Sequence, residues 1–257
     1  MHRKTNILLY GIFSYVVGMA GLVWFLLYVG GWDFLPQHIN SKAADVWLPA
    51  VLINFALVVL FSIQHSVMAR PWFKKAMEKA IPPAAERSGY VLVSGILMAL
   101  FCLFWQPVPG VVWWVENPLL VYCLRAVHIA GWLVLVGATF EIDHFELMGL
   151  KQVWRHYQGK PWSGSAFTEK FFYKIVRHPI QLGLLMVVWT NPHMSKTLYL
   201  LAGLLTVYIH IGLCFEERAL LKAHGETYRD YMRRVPRLLP AGKLFTRHCN
   251  KQSSIEH

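Results

Sequence analysis

The sequence predicts an all-α integral membrane protein. The expected architecture is a bundle of four full transmembrane helices plus a helical hairpin, five to six membrane segments in all, followed by a cytoplasmic C-terminal helix. Three observations lead there. Hydrophobic residues make up 56% of the 257 and charged ones 15%, too few charges to wet the surface of a globular domain. The apolar residues are bunched into runs near the roughly 20 residues that cross a bilayer core at about 1.5 Å per residue. The basic residues, behind a net charge of +11, concentrate in alternate loops, which points to a membrane rather than to nucleic acid as the partner.

The first run, 7–29, carries no formal charge. Arg3 and Lys4 ahead of it look like the start of a secretion signal. The run nevertheless outlasts the usual h-region of about 7 to 15 residues, and no small-residue cleavage site follows, so it is read as a retained anchor. Runs 46–68, 89–106 and 119–140 supply the next three spans. Arg70, Lys74, Lys75, Lys79 and Arg87 separate the second from the third, and Lys151 to Arg177 follow the fourth; the loop 30–45 has only Lys42 and 107–118 has no basic residue. The positive-inside rule then places the N-terminus, 69–88, 141–179 and the C-terminal segment in the cytoplasm.

The stretch 180–215 is too long for one crossing and is broken by Asn191-Pro192-His193, so it must double back. Its first arm, 180–191, would rise only about 18 Å as a helix against a core of roughly 30 Å, and the second, 195–215, is expected to be longer. Glu216 to Met232 reads as a cytoplasmic amphipathic helix, and Val235 to Pro240 as an extended end held by two prolines. Residues 1–240 thus form one membrane-embedded domain, with 241–257 a flexible tail. Cys102, Cys123, Cys214 and Cys249 show neither C-x-x-C pairing nor zinc-ligand spacing, so no metal site is expected.

Ionisable residues in or beside membrane helices are costly and therefore candidates for function. Arg177-His178-Pro179, with Gly183 beyond it, lies where the chain enters the hairpin. By itself this is also what an interfacial arginine before an N1 proline looks like. Glu216 and Glu217 sit where the second arm emerges, and two adjacent carboxylates need a cation or hydrogen-bond donors between them; a solvated first helical turn is the plainer alternative. Tyr228 and Tyr231 lie farther on and can close over a flat ring or pack on their neighbours. At the exit of the fourth span Glu141 and His144 share a helical face, with Asp143 directly before the histidine, so that a carboxylate can orient the imidazole. His65 and Arg70 occupy the matching exit of the second. Arg125, His128 and His210 are read as interhelical polar contacts.

In order and spacing, Tyr173-x-x-x-Arg177-His178-Pro179-x-x-x-Gly183, Glu216-Glu217 and Gly225-x-x-Tyr228-x-x-Tyr231-x-x-x-Val235-Pro236 resemble the isoprenylcysteine carboxyl methyltransferase and phospholipid methyltransferase superfamily. Gln64-His65-Ser66-Val67-Met68-Ala69-Arg70 and Ile142-Asp143-His144-Phe145-Glu146-Leu147 look like the nurim family within it, especially its bacterial methanethiol S-methyltransferases. The resemblance implies a membrane methyltransferase whose cofactor, S-adenosyl-L-methionine, is held by the part from about 141 to 240. It assigns Tyr173, His178, Gly183, Glu216, Glu217, Tyr228 and Tyr231 to the cofactor, with Arg177 supporting them. Gln181 stands where prenylcysteine enzymes commonly carry tyrosine, which favours a small thiol over a lipid-modified cysteine.

His65 and His144 are then the expected bases, Glu141 or Asp143 orienting the latter and Arg70 holding an anion. Trp154, Phe140 and Phe145 are expected to pack tightly and exclude larger thiols. The competing expectations are methylation of a phospholipid or prenylcysteine, and a membrane protein of the nurim kind without catalysis.

Overall fold

In order along the chain the elements are α1 (His2–Gly30), α2 (Trp47–Met68), α3 (Pro71–Met77), α4 (Pro83–Phe104), β1 (Val111–Trp114), α5 (Pro118–Glu141), α6 (His144–Leu147), α7 (Leu150–Tyr157), α8 (Phe171–Ile175), α9 (Pro179–Trp189), β2 (His193–Ser195), α10 (Lys196–His224) and α11 (Glu226–Arg234). They come from a computed structural model that describes residues 2–32, 34–40, 46–162, 164 and 167–239. Lys42, Cys249 and the segment 241–257 lie outside the described residues.

Proline opens α3, α4, α5 and α9, where its missing N–H costs nothing and its fixed φ suits the first turn. Five helices, α1, α2, α4, α5 and α10, are long and apolar enough to cross a bilayer, with mean hydropathies of 1.8 to 2.0. Their outward side chains are apolar too: Leu119 is 73% and Leu133 67% exposed, a surface suited to lipid rather than water. The protein is an all-α integral membrane protein.

Glycine sets the helix spacing. Gly18, Gly21 and Gly95 bring the backbones of α1 and α4 so close that a side chain on either Gly21 or Gly95 would strike the other helix. Between α5 and α9, a Cβ on Gly183 would come 2.6 Å from the Gly131 carbonyl oxygen and 2.7 Å from the Leu135 nitrogen. Without a strong hydrophobic drive between helices in lipid, such backbone approach supplies much of the packing energy. Gly183→Ala is therefore expected to cost about 1–3 kcal/mol of stability, seen as a lowered melting temperature of the protein in detergent.

The helix ends sort into two layers. In one, the Gly30 carbonyl accepts from Arg125 and Asn191, the Asn54 side chain donates to Gln106 at the end of α4, and Thr197 pairs with Val108. In the other, Ile7, Ala85 and Val153 form one apolar cluster, Arg87 donates to the Leu147 carbonyl, and Glu141 meets Phe172. The second layer gathers the starts of α1 and α4, the end of α5 and the loop after it, the same segments that the basic residues mark.

The hairpin is present, with two differences from expectation. Helix α9 stops after 11 residues, about 16 Å. The chain then runs on extended, so that β2 pairs antiparallel with β1, Val111 opposite Ser195 and Trp114 opposite His193. This ribbon, built on the β-branched and aromatic run Val111-Val112-Trp113-Trp114, was not expected. Helix α10 continues unbroken for 29 residues to His224. Glu216 and Glu217 are thus in the closing turns of a long helix and not at the start of a tail helix. The break comes at Gly225, whose φ of +55 is the left-handed region that glycine enters most readily. The loop 141–179 contains α6, α7 and α8.

Candidate functional site

Arg177 and His178 occupy the extended step between α8 and α9. Their backbone N–H groups donate to the carbonyls of Pro236 at 2.9 Å and Arg237 at 3.2 Å, so the segment after α11 is laid alongside them. The Arg177 guanidinium donates to the carbonyls of Met232 and Val235, 2.9 and 3.2 Å away. Helix α10 arrives from the other side carrying Glu217.

The Glu217 carboxylate lies 2.8 Å from Arg177 Nη2, 3.1 Å from His178 Nε2 and 3.3 Å from Arg237 Nε. Arg177 and Glu217 are each 4% exposed and His178 3%. Charges so deeply removed from water persist only when paired and hydrogen-bonded, and here both conditions hold. The other His178 nitrogen stands 3.9 Å from Glu216, whose side chain is 48% exposed. The imidazole thus touches a buried carboxylate on one edge and an accessible one on the other. Glu216 is also within electrostatic range of the hydroxyls of Tyr173 and Tyr90.

Helix α11 closes this cluster. Tyr231 donates to the Tyr173 carbonyl at 2.5 Å, and Phe167 packs edge-on against both Tyr228 and Tyr231, each only 1% exposed. The Tyr228 hydroxyl and Arg177 Nε are buried with no hydrogen-bond partner among the described residues. An unsatisfied buried donor is costly and invites a ligand. Burial, and next the charge of Glu217, push the Tyr228 phenol upward from its ordinary value, so it stays a hydroxyl able to donate. Burial and then Glu216 do the same to Tyr173. The structure therefore brings Tyr173, Arg177, His178, Glu216, Glu217, Tyr228 and Tyr231 together. Gly183 stands apart, a full turn into α9 against Gly131, where it serves helix contact.

The two histidines differ sharply. His144 Nδ1 is 3.0 Å from Thr139 Oγ1, and that hydroxyl gives its single proton to the Val136 carbonyl at 2.7 Å. Nδ1 must then be the donor, leaving Nε2 to accept from the Tyr15 hydroxyl at 3.1 Å. Burial lowers the His144 pKa, with Asp143 opposing. Both ring nitrogens are thus occupied in a neutral imidazole. The carboxylates expected to orient it are engaged elsewhere. Glu141 accepts from the Phe172 N–H at 3.0 Å, capping α8. Asp143 accepts from the Glu146 N–H at 3.1 Å and pairs with Lys151. The reason is local: the left-handed step at Asp143, φ 74, turns His144 out of the α5 register.

The Lys151 hydrogen bond, the largest influence, holds the Asp143 carboxyl below its usual range. A lowered folded value means that this pair adds stability above the unfolded pKa of about 4 and loses it as the pH falls through the lowered folded value. Asp143→Asn is expected to flatten the acid dependence of melting below about pH 4, read from melting temperatures across a pH series.

His65 stacks on Phe61 with ring centroids 5.2 Å apart, and the Tyr90 hydroxyl lies 2.8 Å from its Nε2. The Arg87 guanidinium covers the Tyr90 ring at 4.6 Å, and Arg70 covers Phe215, the neighbour of Glu216, at 4.8 Å. Arg70 thus lies beside α10 next to Glu216, while His65 meets α10 higher up, through the edge-on contact of Phe61 with Tyr208. Phe140 and Phe145 pack on the His144 ring, but both, like Trp154, are exposed, so the three do not form the tight wall expected of them. Arg237, Tyr90 and Tyr15 escaped sequence reading; only Arg237, directly after Val235-Pro236, left a local signal.

Arg125 behaves as an interhelical contact, donating to the Gly30 carbonyl and lying over Trp32. His128 accepts from Trp132 one turn on in the same helix and meets Trp32 edge-on. Among the described residues no cluster of metal-ligating side chains occurs.

Relatives of this chain bear on what such a site does. Methanethiol S-methyltransferase 2 of Bradyrhizobium diazoefficiens is 41% identical over 252 residues, spanning 96% of this chain and 94% of that protein. The methanethiol S-methyltransferase of Mycobacterium tuberculosis is 39% identical over 238 residues, 93% of this chain and 97% of its own. Nurim of Sus scrofa is 31% identical over 215 residues, 76% of this chain and 80% of its own. No family model matches the chain, and no solved structure matches it with significance. Identity at this level over almost the whole length places the chain in the nurim family, in the branch of the S-methyltransferases.

Proposed function

We propose that the protein transfers a methyl group from S-adenosyl-L-methionine to methanethiol, forming dimethyl sulfide, at the cytoplasmic side of a bacterial inner membrane. The observation that carries this reading is the Glu217 cluster, which joins the Arg177-His178 step to the end of α10 and leaves Glu216 accessible beside it. The printed names of the relatives supply the thiol. The concentration of basic residues on the layer that holds the site supports the cytoplasmic placement. Residues 1–240 then act as one domain, the part from about 141 onward holding the methyl donor.

The donor set suits that cofactor. Its cationic groups and ribose hydroxyls match the Glu216 carboxylate, and the unsatisfied Tyr228 hydroxyl and Arg177 Nε match its acceptor atoms. When bound, the cofactor supplies an electrophilic methyl group on a sulfonium. The protein's own residues do the rest. A thiol near its ordinary pKa of about 8.5 is mostly protonated at neutral pH, so a base has to take its proton. His65 suits that role: the single Tyr90 hydroxyl lies 2.9 Å from its Nδ1 and 2.8 Å from its Nε2 and can bond only one of them, whereas His144 has a separate partner on each nitrogen. Arg70 is placed to stabilise the thiolate. Loss of solvent around this layer strengthens the attraction between an anionic sulfur and a cationic methyl donor.

Two measurements test the reading. Isothermal calorimetry should show S-adenosylmethionine binding to the purified protein, and headspace analysis should detect dimethyl sulfide when methanethiol is added. Binding without turnover on methanethiol, but with turnover on a phospholipid or prenylcysteine, would replace the substrate. Absence of binding would leave the chain on the non-catalytic side of its family.

A further inference from the structure

Most helical glycines here lie against a neighbouring helix, but Gly212 on α10 does not. A Cβ placed on it meets no atom within 4 Å, although the residue is half-buried. Gly203 is equally open, but Tyr199 and Val207, which share its side of the helix, are exposed, so that space belongs to the lipid.

The neighbours of Gly212 are mixed: Ile209, three residues before it, is buried, while Phe215, three after, is exposed. Residues four apart stack on one helical face, which puts Tyr208 one turn before it and Glu216 one turn after. Tyr208 is half-buried and turned to α2, its hydroxyl 3.4 Å from Ser66 Oγ and its ring against Phe61. Glu216 reaches His178 and the donor cluster. The opening is therefore bounded by the Tyr208–Ser66 contact on the side of the membrane interior and by Arg70 over Phe215 on the other. His65, the residue before Ser66, stands on the α4 side, bonded to Tyr90.

We propose that the space at Gly212 is the binding site for the small thiol, roofed by Tyr208 and Phe61 and open toward Glu216. This assignment rests on the methyl-transfer reading above and adds the location of the acceptor. The chemistry fits: sulfur is soft and polarisable and packs well on aromatic rings, and the space is made by the absence of one side chain. The thiol gives its proton to His65 and its lone pair to the methyl carbon, whose former bonding pair stays on the donor's sulfur. Glycine here sets the size of substrate accepted.

The test replaces Gly212 by alanine and by leucine in the full chain, purified in detergent. Both favour a helix over glycine, and the position is open, so folding is retained. A leucine side chain is larger than methanethiol itself. In Gly212→Leu the KM for methanethiol is expected to rise about tenfold or more, as for loss of one or two methylene-sized contacts. Gly212→Ala should show a smaller rise and discriminate more strongly against propanethiol. S-adenosylmethionine affinity, read by calorimetry without turnover, should stay within about twofold. A Gly212→Leu enzyme with parental kcat/KM for methanethiol would overturn the assignment while leaving the methyl-transfer reading intact. Equal losses of donor and thiol affinity would move the space into the donor site, which also overturns it. A parent chain that binds the donor but never methylates methanethiol would remove the reading on which the assignment rests.

Discussion

Glu217→Ala should be the most damaging single substitution in the chain. It removes the one carboxylate that Arg177, His178 and Arg237 share and leaves the Arg177 guanidinium, 4% exposed, without its counter-charge. Breaking a buried pair from one side costs about 3–5 kcal/mol, because the remaining charge keeps its desolvation penalty. The loss should appear twice: as a large fall in melting temperature in detergent and as loss of methyl-donor binding by calorimetry. Glu217→Gln keeps the shape and one acceptor, so it should recover part of the stability and little of the binding. A Glu217→Ala protein that melts like the parent would mean that the cluster does not hold α9, α10 and the segment after α11 together.

The second large effect is kinetic. His65→Ala is expected to lower kcat by about 10²- to 10⁴-fold, the usual worth of a positioned base, with donor affinity preserved. Tyr90→Phe, which removes the hydroxyl 2.8 Å from His65 but keeps the ring under Arg87, should give a smaller fall and a displaced pH–rate profile. His144→Ala should behave differently. It frees the Tyr15 and Thr139 hydroxyls that now grip the imidazole, so it lowers stability more than rate. Equal rate losses in the two alanine variants would end the distinction between them.

That distinction marks where reading a linear chain stops. The motif residues Tyr173, Arg177, His178, Glu216, Glu217, Tyr228 and Tyr231 were visible because their spacing is itself the signal. Their meeting follows from two local facts: a break at Asn191-Pro192 and a return arm long enough, about 31 Å from Lys196 to Glu217 at the helical rise, to come back to the Arg177 level. His144 misled for an equally local reason. Helical periodicity put Glu141 beside it, and the left-handed Asp143 broke that periodicity. Gly183 belonged to the motif by position, yet its neighbour is Gly131, and nothing in either stretch names the other. The β1–β2 ribbon was invisible for the same cause, since strands of four and three residues have no periodicity of their own and exist only through each other.

By itself the sequence determined the membrane class, the long spans, the segments that share a layer and the residues of the motif. These properties are sums over neighbouring residues: hydropathy over about 20 positions, charge within a loop, spacing within a turn. Tertiary structure decided which partners those residues take: that Glu217 is the buried hub and Glu216 the accessible carboxylate, that His65 keeps company with Tyr90 while His144 is tied down, and that α10 has an opening at Gly212. Hydrogen bonds and ion pairs act over a few ångströms, and the approach of groups separated by tens of residues depends on where the helices cross, which no local sum contains.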